Sequence, residues 1–211
     1  MSARNVRLPL IAVLAASLIA SFGPQIAQAA AKPKAAAPAA AAAPARRLEG
    51  KIALVTGSSR GIGRAIAERM ARDGATVVIN YAKSAEAAES AVQEIRAAGG
   101  KAVAIKADIS NVTEVRALYA AIKQQFGHVD IVVNNAGILP PTVPVAEETE
   151  QTFDQVFGLL KGTYFSMQEA ARLMADGGRI INISSSTTRG WSPGYSIYAG
   201  SKSAIEQFTR S

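Results

Sequence analysis

From Leu48 onward, short apolar runs of β character alternate with longer amphipathic stretches, and few folds accept that alternation. Lys51–Thr56 (KIALVT) is followed by a glycine-rich turn and a helical stretch from about Gly61 to Arg72. Thr76–Tyr81 (TVVINY) precedes an Ala/Glu-rich helix over Ser84–Ala98, closed by Gly99-Gly100. Lys101–Lys106 (KAVAIK) precedes a helix ending at Phe126, with Ser110 as its expected N-cap. Val129–Val133 (VDIVV) is a fourth apolar run, Glu148 to Met174 reads as mostly helix, Arg179–Ile183 (RIINI) is a fifth run, and a last helix starts near Ser196. Five such runs separated by helices predict an α/β chain, a doubly wound parallel sheet covered on both faces.

The residues before Leu48 have a different character. Arg4 and Arg7 precede an uncharged run of 15 residues from Leu8 to Phe22, and Ala27 and Ala29 suit cleavage before Ala30. Residues 1–29 therefore read as a secretory signal peptide, and export to a periplasmic or extracellular space is expected. The run falls short of the ~20 residues that span a bilayer, so a membrane role is expected only if the segment stays uncleaved. Residues 30–47 hold 11 Ala with Pro33, Pro38 and Pro44, an extended linker expected to be disordered. The net charge of +7 sits largely here: residues 1–47 carry +6 and residues 48–211 carry +1. The body thus has no charge-based case for binding nucleic acid. With no Cys in the chain, disulfides are excluded, but the compartment is not decided.

Between the first strand and first helix lies Thr56-Gly57-Ser58-Ser59-Arg60-Gly61-Ile62-Gly63. Glycine is needed where a chain turns sharply, where backbone must approach a pyrophosphate, and where a helix packs closely on a sheet. Free N–H groups at the following helix N-terminus then face the phosphates. The spacing is G-x-x-x-G-x-G; three glycines also suit a plain tight turn, but the strand–turn–helix setting favours a dinucleotide cradle. At the end of the second strand, Ile79-Asn80-Tyr81-Ala82-Lys83 contains no acid to bond a ribose 2′-OH, while Arg60 and Lys83 bring positive charge. That pattern favours NADP over NAD as the ligand.

With this turn, with Asn134-Asn135-Ala136-Gly137 after the fourth strand, and with Tyr198-Ala199-Gly200-Ser201-Lys202, the chain resembles the short-chain dehydrogenase/reductase family over roughly residues 48–211. Within it the chain looks most like the 3-oxoacyl-acyl-carrier-protein reductase and glucose dehydrogenase branch. The resemblance implies a Rossmann-type sheet and an oxidoreductase moving a hydride between NADP(H), or NAD(H), and a small carbonyl or secondary alcohol. For a complete member it also implies a homodimer or homotetramer. By the same likeness Gly57, Gly61 and Gly63 line the pyrophosphate with Ile62 beside them, and Asp108 bonds the adenine amino group. Asn134, Ala136 and Gly137 border the adenine ribose and brace the sheet, while Ser59, Arg60, Tyr81 and Ile109 complete the cofactor contacts. Taken alone, Asp108 also suits a cap for the next helix, and the Asn pair an ordinary strand-end turn.

Tyr198 and Lys202 are four residues apart in the last predicted helix, so their side chains leave one face. A phenol, with an ordinary pKa of ~10, moves protons poorly at neutral pH unless a nearby ammonium stabilises its phenolate. The resemblance makes Tyr198 the proton donor and acceptor and Lys202 the group that holds the nicotinamide ribose. It selects Ser185, 13 residues before Tyr198, as the hydroxyl that steadies the substrate oxygen. Ser184 and Ser186 read as ordinary loop residues. The sequence offers no metal-ligating set; His128 is expected to be structural. Trp191 is open between lining a substrate pocket and packing on its loop, and Phe157, Tyr164 and Phe165 have helical spacing that suits core or interface.

Two departures from the family pattern stand out. Its F-x-x-N-x-x-G-T pattern is met here by Phe157-Gly158-Leu159-Leu160-Lys161-Gly162-Thr163, which lacks the Asn and is one residue short between Leu159 and Leu160. In the family that Asn helps hold a water that relays protons to the lysine. One deleted residue turns the rest of a helix by ~100° unless a bulge absorbs it. The sequence also ends at Ser211, inside the helix bearing Lys202, whereas such sheets have about six strands. The expectation is a C-terminally truncated domain with its fifth strand exposed, low stability and poor activity. A non-catalytic nucleotide-binding remnant is the alternative.

Overall fold

The computed structural model describes residues 46–211. The segments expected to be a signal peptide and most of the linker lie outside the described residues. Five parallel strands, β1 (Ile52–Val55), β2 (Thr76–Tyr81), β3 (Lys101–Lys106), β4 (Val129–Asn134) and β5 (Met174–Asn182), form one sheet in the order β3-β2-β1-β4-β5. Helices α1 (Gly61–Arg72), α2 (Ala85–Ala97), α3 (Val112–Phe126), α4 (Glu150–Leu173) and α5 (Ser196–Arg210) connect or follow them. This is the expected Rossmann-type α/β arrangement, with the reversal of strand order between β1 and β4.

The alternation of side chains along β1 and β2 divides the core. Ala53, Val55, Val77 and Ile79 face one side, where Ala67 and Ala71 of α1 and Ala88, Val92 and Ile95 of α2 cover them. Leu54 and Val78 face the other, against Val115, Leu118 and Ile122 of α3 and Ala170 of α4. Two-sided burial explains why these strands read as continuous apolar runs, each buried aliphatic side chain contributing roughly 1.5–3 kcal/mol.

A polar chain, buried at its Tyr119 end and exposed at its Thr209 end, crosses the second layer. The Tyr119 hydroxyl of α3 bonds Ser166 Oγ at 2.9 Å, and Ser166 donates to Asn134 Oδ1 at 2.7 Å. Asn134 Nδ2 donates to Asn182 Oδ1 at 2.8 Å, and Asn182 Nδ2 to Thr209 Oγ1 at 2.9 Å. Burial pushes the Tyr119 hydroxyl well above the ordinary phenol range. The chain joins α3, α4, β4, β5 and α5, and it is how Asn134 braces the sheet.

Several local expectations need correction. Asn111, not Ser110, caps α3 by accepting from Thr113 N at 3.0 Å. Ser110 is engaged by Asp108, whose Oδ1 accepts from its backbone N–H and its hydroxyl. Strand β5 begins at Met174, not Arg179: Val129 pairs with Met174 and Ile131 with Arg179, so the intervening segment bulges around Gly177 at φ +75°. Helix α4 runs without a bulge through Leu159-Leu160. Its following part is fixed by Gly162, where any Cβ would overlap the Ile109 carbonyl, and by Ser166 in the polar chain. Among the described residues β5 pairs only with β4.

At the opposite end of the sheet from the glycine turn, Asp130 locks β1 to β4. Its carboxylate accepts from Lys51 Nζ at 2.9 Å and Ile52 N at 2.8 Å, and half-exposed His128 lies 3.1 Å away through Nε2. Burial opposes ionisation, but the Ile52 N–H and the Lys51 and His128 charges outweigh it, holding the Asp130 carboxyl below its ordinary range. Asp130→Ala is expected to lower the unfolding free energy in urea by about 2–3 kcal/mol. A carboxyl depressed in the folded state adds stability that is complete above its unfolded pKa and lost as pH falls through its folded pKa. The gap between wild type and variant should therefore narrow on acidification; a gap that does not change with pH contradicts this lock.

Candidate functional site

The glycine turn is built by bonds from three strands. Gly57 and Gly61 adopt φ +61° and +58°, the left-handed region that favours glycine. A Cβ on Gly57 would lie 3.0 Å from Ala136 Cα, and one on Gly63 would lie 2.5 Å from Asn135 Nδ2. Both positions therefore exclude larger residues by close approach. Thr56 Oγ1 accepts from the N–H groups of Asn135 and Ala136 at 2.9 and 3.0 Å. Asn135 Nδ2 returns bonds to the carbonyls of Thr56 at 2.9 Å and Gly57 at 3.2 Å.

From β2, the buried Asn80 accepts from Gly57 N through Oδ1 at 3.1 Å, and its Nδ2 donates to Ala107 O at 3.0 Å. Asn80 N also donates to Ser58 Oγ, which itself donates to Val55 O.

The cradle suits an anionic ligand. Arg60 precedes α1 in extended conformation without a side-chain cap bond, and the first turn of α1 holds no acid. Its leading N–H groups and the positive end of its dipole are thus uncommitted by side chains. A Cβ on Gly61 would meet nothing within 4 Å, and Ile62 is 68% exposed beside it. Ser59 is buried beneath the turn. Arg60 and Lys83 are exposed, and among the described residues neither forms an ion pair. Tyr81 is half-buried at the end of β2, with its carbonyl accepting from Ala107 N.

Two positions past β3 differ in use. The Asp108 side chain holds the turn before α3 through Ser110, while the cap of α3 itself is Asn111. The Ile109 side chain is buried in the core beneath α3 and α4, and Gly162 covers its carbonyl.

Across the switch point, α5 presents Tyr198 and Lys202 together. Lys202 Nζ lies 5.7 Å from the Tyr198 ring centroid and donates to Ile183 O at 2.8 Å. A Cβ on Gly137 would lie 3.7 Å from that nitrogen. Lys202 is only 7% exposed, and burial lowers its pKa below the ordinary lysine value. A small cavity beneath is lined by Gly137, Ile138, Leu159, Leu160, Tyr198 and Lys202. Leucines thus lie where the family resemblance calls for an Asn.

Ser185 sits past the carboxyl end of β5 and caps the single helical turn Ser186–Thr188. Its Oγ accepts from Thr187 Oγ1 at 3.0 Å and Thr187 N at 3.3 Å, leaving its own proton uncommitted. Ser184 instead donates to Glu206 Oε1 at 2.7 Å, as does Thr188 at 2.8 Å. Ser186 begins the short turn. Trp191 packs on nothing, at 93% exposed.

Thr56, Asn80 and Asn135 support the site without being among the residues expected to form it. Asn80 carried a signal, being a lone amide inside the apolar run TVVINY; the other two carried none beyond their place beside the motifs.

An open parallel sheet whose switch point carries this glycine cradle defines the doubly wound nucleotide-binding class. A family model described as short chain dehydrogenase matches residues 51–211, and the chain belongs to the short-chain dehydrogenase/reductase family. It is 50% identical over 166 residues to the short chain dehydrogenase/reductase nsrJ of Aspergillus novofumigatus, covering 78% of this chain and 62% of that protein. The chain thus spans about three-fifths of that relative's length. A short-chain dehydrogenase from Burkholderia cenocepacia in complex with NADP superposes with TM-score 0.73 at 43% identity, covering 78% of this chain and 67% of that one. The landomycin C-6 ketoreductase LanV, with bound NADP and rabelomycin, gives TM-score 0.72 at 42% identity, covering 76% and 68%.

Asn80→Ala removes the acceptor for Gly57 and the donor to Ala107, and is expected to cost about 2–3 kcal/mol in denaturant unfolding. A loss below about 0.5 kcal/mol would show that the turn does not depend on β2.

Proposed function

We propose that the protein transfers a hydride between NADP(H) and a carbonyl or secondary alcohol, using Ser185, Tyr198 and Lys202. The observation that carries this reading is the placement of Lys202 Nζ beside Gly137, one residue from the Ala136 that packs on Gly57. The phenol and the amine are thereby joined to the same cradle that suits a pyrophosphate. NADP in the Burkholderia protein and in LanV supports the cofactor, as do the exposed charges of Arg60 and Lys83 and the absence of an acid at Tyr81.

Bound NADP(H) supplies or accepts the hydride. Gly57, Gly61 and Gly63 seat the pyrophosphate against the α1 N-terminus, while Arg60 and Lys83 attract the 2′-phosphate. Lys202 donates through Nζ to the ribose hydroxyls and holds its ammonium beside the Tyr198 ring. Tyr198 gives the proton on Oη to the carbonyl oxygen in reduction and takes it back in oxidation. Ser185 donates its uncommitted Oγ proton to the same oxygen and stabilises the charge that develops there.

A second reading, nucleotide binding with little turnover, is favoured by Leu159 and Leu160, which line the cavity with Lys202 where the family resemblance calls for an Asn. NADPH consumption with simple ketones separates the two readings. Under the first, turnover occurs and Tyr198→Phe lowers kcat by about 10²–10⁴-fold with NADPH binding retained. NADPH binding without consumption by the unaltered chain selects the second.

Changing Arg60 and Lys83 together to Ala should weaken NADP binding by about tenfold, near 1.4 kcal/mol, while NAD binding changes little. Equal losses for both nucleotides contradict a 2′-phosphate contact. Export is proposed from residues 1–29 alone: a mature N-terminus at Ala30 supports it, and an intact Met1 contradicts it.

A further inference from the structure

Helix α5 is stitched to the chain leaving β5 in three successive turns. Lys202 donates to Ile183 O at 2.8 Å, Glu206 Oε1 accepts the Ser184 hydroxyl at 2.7 Å, and Thr209 Oγ1 accepts from Asn182 Nδ2 at 2.9 Å. Tyr198, Lys202 and Glu206 follow one another at intervals of four residues, so they form one row along the helix. The first two carry the reaction proposed above. The third has no part in it so far.

Glu206 accepts twice through one oxygen. The Thr188 hydroxyl also lies 2.8 Å from Oε1, and it shares its single proton with Ser185 O at 2.9 Å. The two donors stand on either side of Ser185: Ser184 precedes it, and Thr188 ends the single helical turn that Ser185 caps. Ser185 itself makes no bond to α5 among the described residues. Its Oγ and its carbonyl are bonded by Thr187 and Thr188 alone. The place of its hydroxyl relative to α5 is therefore set through its neighbours, and both neighbours end on Glu206.

The carboxylate is committed to this task. Among the described residues Glu206 forms no ion pair, and its side chain bonds only these two hydroxyls. The Ser184 bond first, and the Thr188 bond second, hold its carboxyl below the ordinary range. The acceptor is thus charged at neutral pH, and both bonds are charge-assisted.

We infer that Glu206 is the positioning residue for Ser185: its carboxylate, bonded to the hydroxyls that flank the serine, sets where the Ser185 proton donor stands relative to Tyr198 and Lys202. This role rests on the hydride-transfer reading above. A donor displaced by about 1 Å loses on the order of 10²-fold in rate, because a hydrogen bond to developing charge demands fixed geometry.

The test measures NADPH consumption with cyclohexanone for the full chain, Glu206→Ala, Glu206→Gln, Ser185→Ala and the Ser185→Ala/Glu206→Ala pair. NADPH affinity is read from nicotinamide emission, and amide hydrogen exchange over residues 183–189 is followed in the same proteins. Ser184→Ala/Thr188→Val removes the two donors instead of the acceptor, and carries the test where Glu206→Ala does not fold. Glu206→Ala is expected to lower kcat about 10–100-fold with NADPH affinity within about threefold of wild type. Glu206→Gln, whose amide oxygen also accepts two protons, should keep kcat within about threefold of wild type. In the Ser185→Ala background, Glu206→Ala should cost less than about threefold more, since a residue acting through Ser185 has nothing left to position. The Thr187, Thr188 and Arg189 amides, bonded to Ser185 and Ser186, should exchange about tenfold faster or more in Glu206→Ala and at the wild-type rate in Glu206→Gln. Additive losses in the pair, a Gln variant as impaired as the Ala variant, or unchanged kcat in Glu206→Ala overturns the inference. Faster exchange in the Ala variant, reversed by Gln, in a protein that consumes no NADPH upholds the tie and overturns the hydride-transfer reading. Turnover with exchange unchanged by Glu206→Ala does the reverse.

Discussion

The carboxyl ends of β1 and β4 are joined by reciprocal bonds between Thr56 and the Asn135-Ala136 backbone, with the Asn135 amide returning to the carbonyls of Thr56 and Gly57. Parallel strands in a doubly wound sheet diverge at this point, because their helices leave to opposite faces, and a crevice opens between them. The joint sets how wide that crevice is. It presses Ala136 against Gly57 and Asn135 against Gly63, so a side chain at either glycine would force the strands apart. The next residue, Gly137, lies beside Lys202 Nζ. The cradle and the Tyr198–Lys202 pair lie on different helices, yet they share this one reference point.

The electrostatics follow from the same layout. Cations at the outer end of the cradle are exposed and unpaired among the described residues, suited to meeting a phosphate from solution. Lys202 is the opposite case, a 7% exposed ammonium whose hydrogen bond among the described residues goes to the Ile183 carbonyl. Its charge is poorly screened and acts strongly on any group brought within a few ångströms, such as a phenolate or a ribose hydroxyl. The polar chain from Tyr119 to Thr209 supports this by fixing α5 against β5 and β4, so that Lys202 reaches Ile183 without the helix drifting.

Much of the fold was legible in the sequence because two-sided burial makes the strands conspicuous. The bounds of β2 and β3 coincide with their apolar runs, and α1 spans the expected residues. The glycine turn and the Tyr198–Lys202 spacing were readable because each motif is local in the chain. What escaped depends on contacts far apart in sequence. Asn80 reaches Gly57 and Ala107, and no local pattern reveals an amide's partners. Ile109 follows the motif aspartate, yet the approach of Gly162 from α4 turns it into core. The early start of β5 comes from a bulge whose register is set by β4, not by its own residues. The α4 helix absorbs its shortened F-x-x-N-x-x-G-T pattern without a bulge, because the anchoring residues Gly162 and Ser166 all follow the deletion.

On the function proposed above, one crevice, spanned by the Thr56–Asn135 joint, seats the nucleotide on the glycine turn with its nicotinamide end at Tyr198 and Lys202. A crystal structure of the protein with NADP decides this. The pyrophosphate is expected on the N–H groups of the Gly57–Gly63 turn and the nicotinamide ribose on Lys202 Nζ, with Tyr198 Oη facing the ring. A nucleotide bound with its nicotinamide away from α5, or a Lys202 that stays on Ile183 and touches no part of it, rules it out.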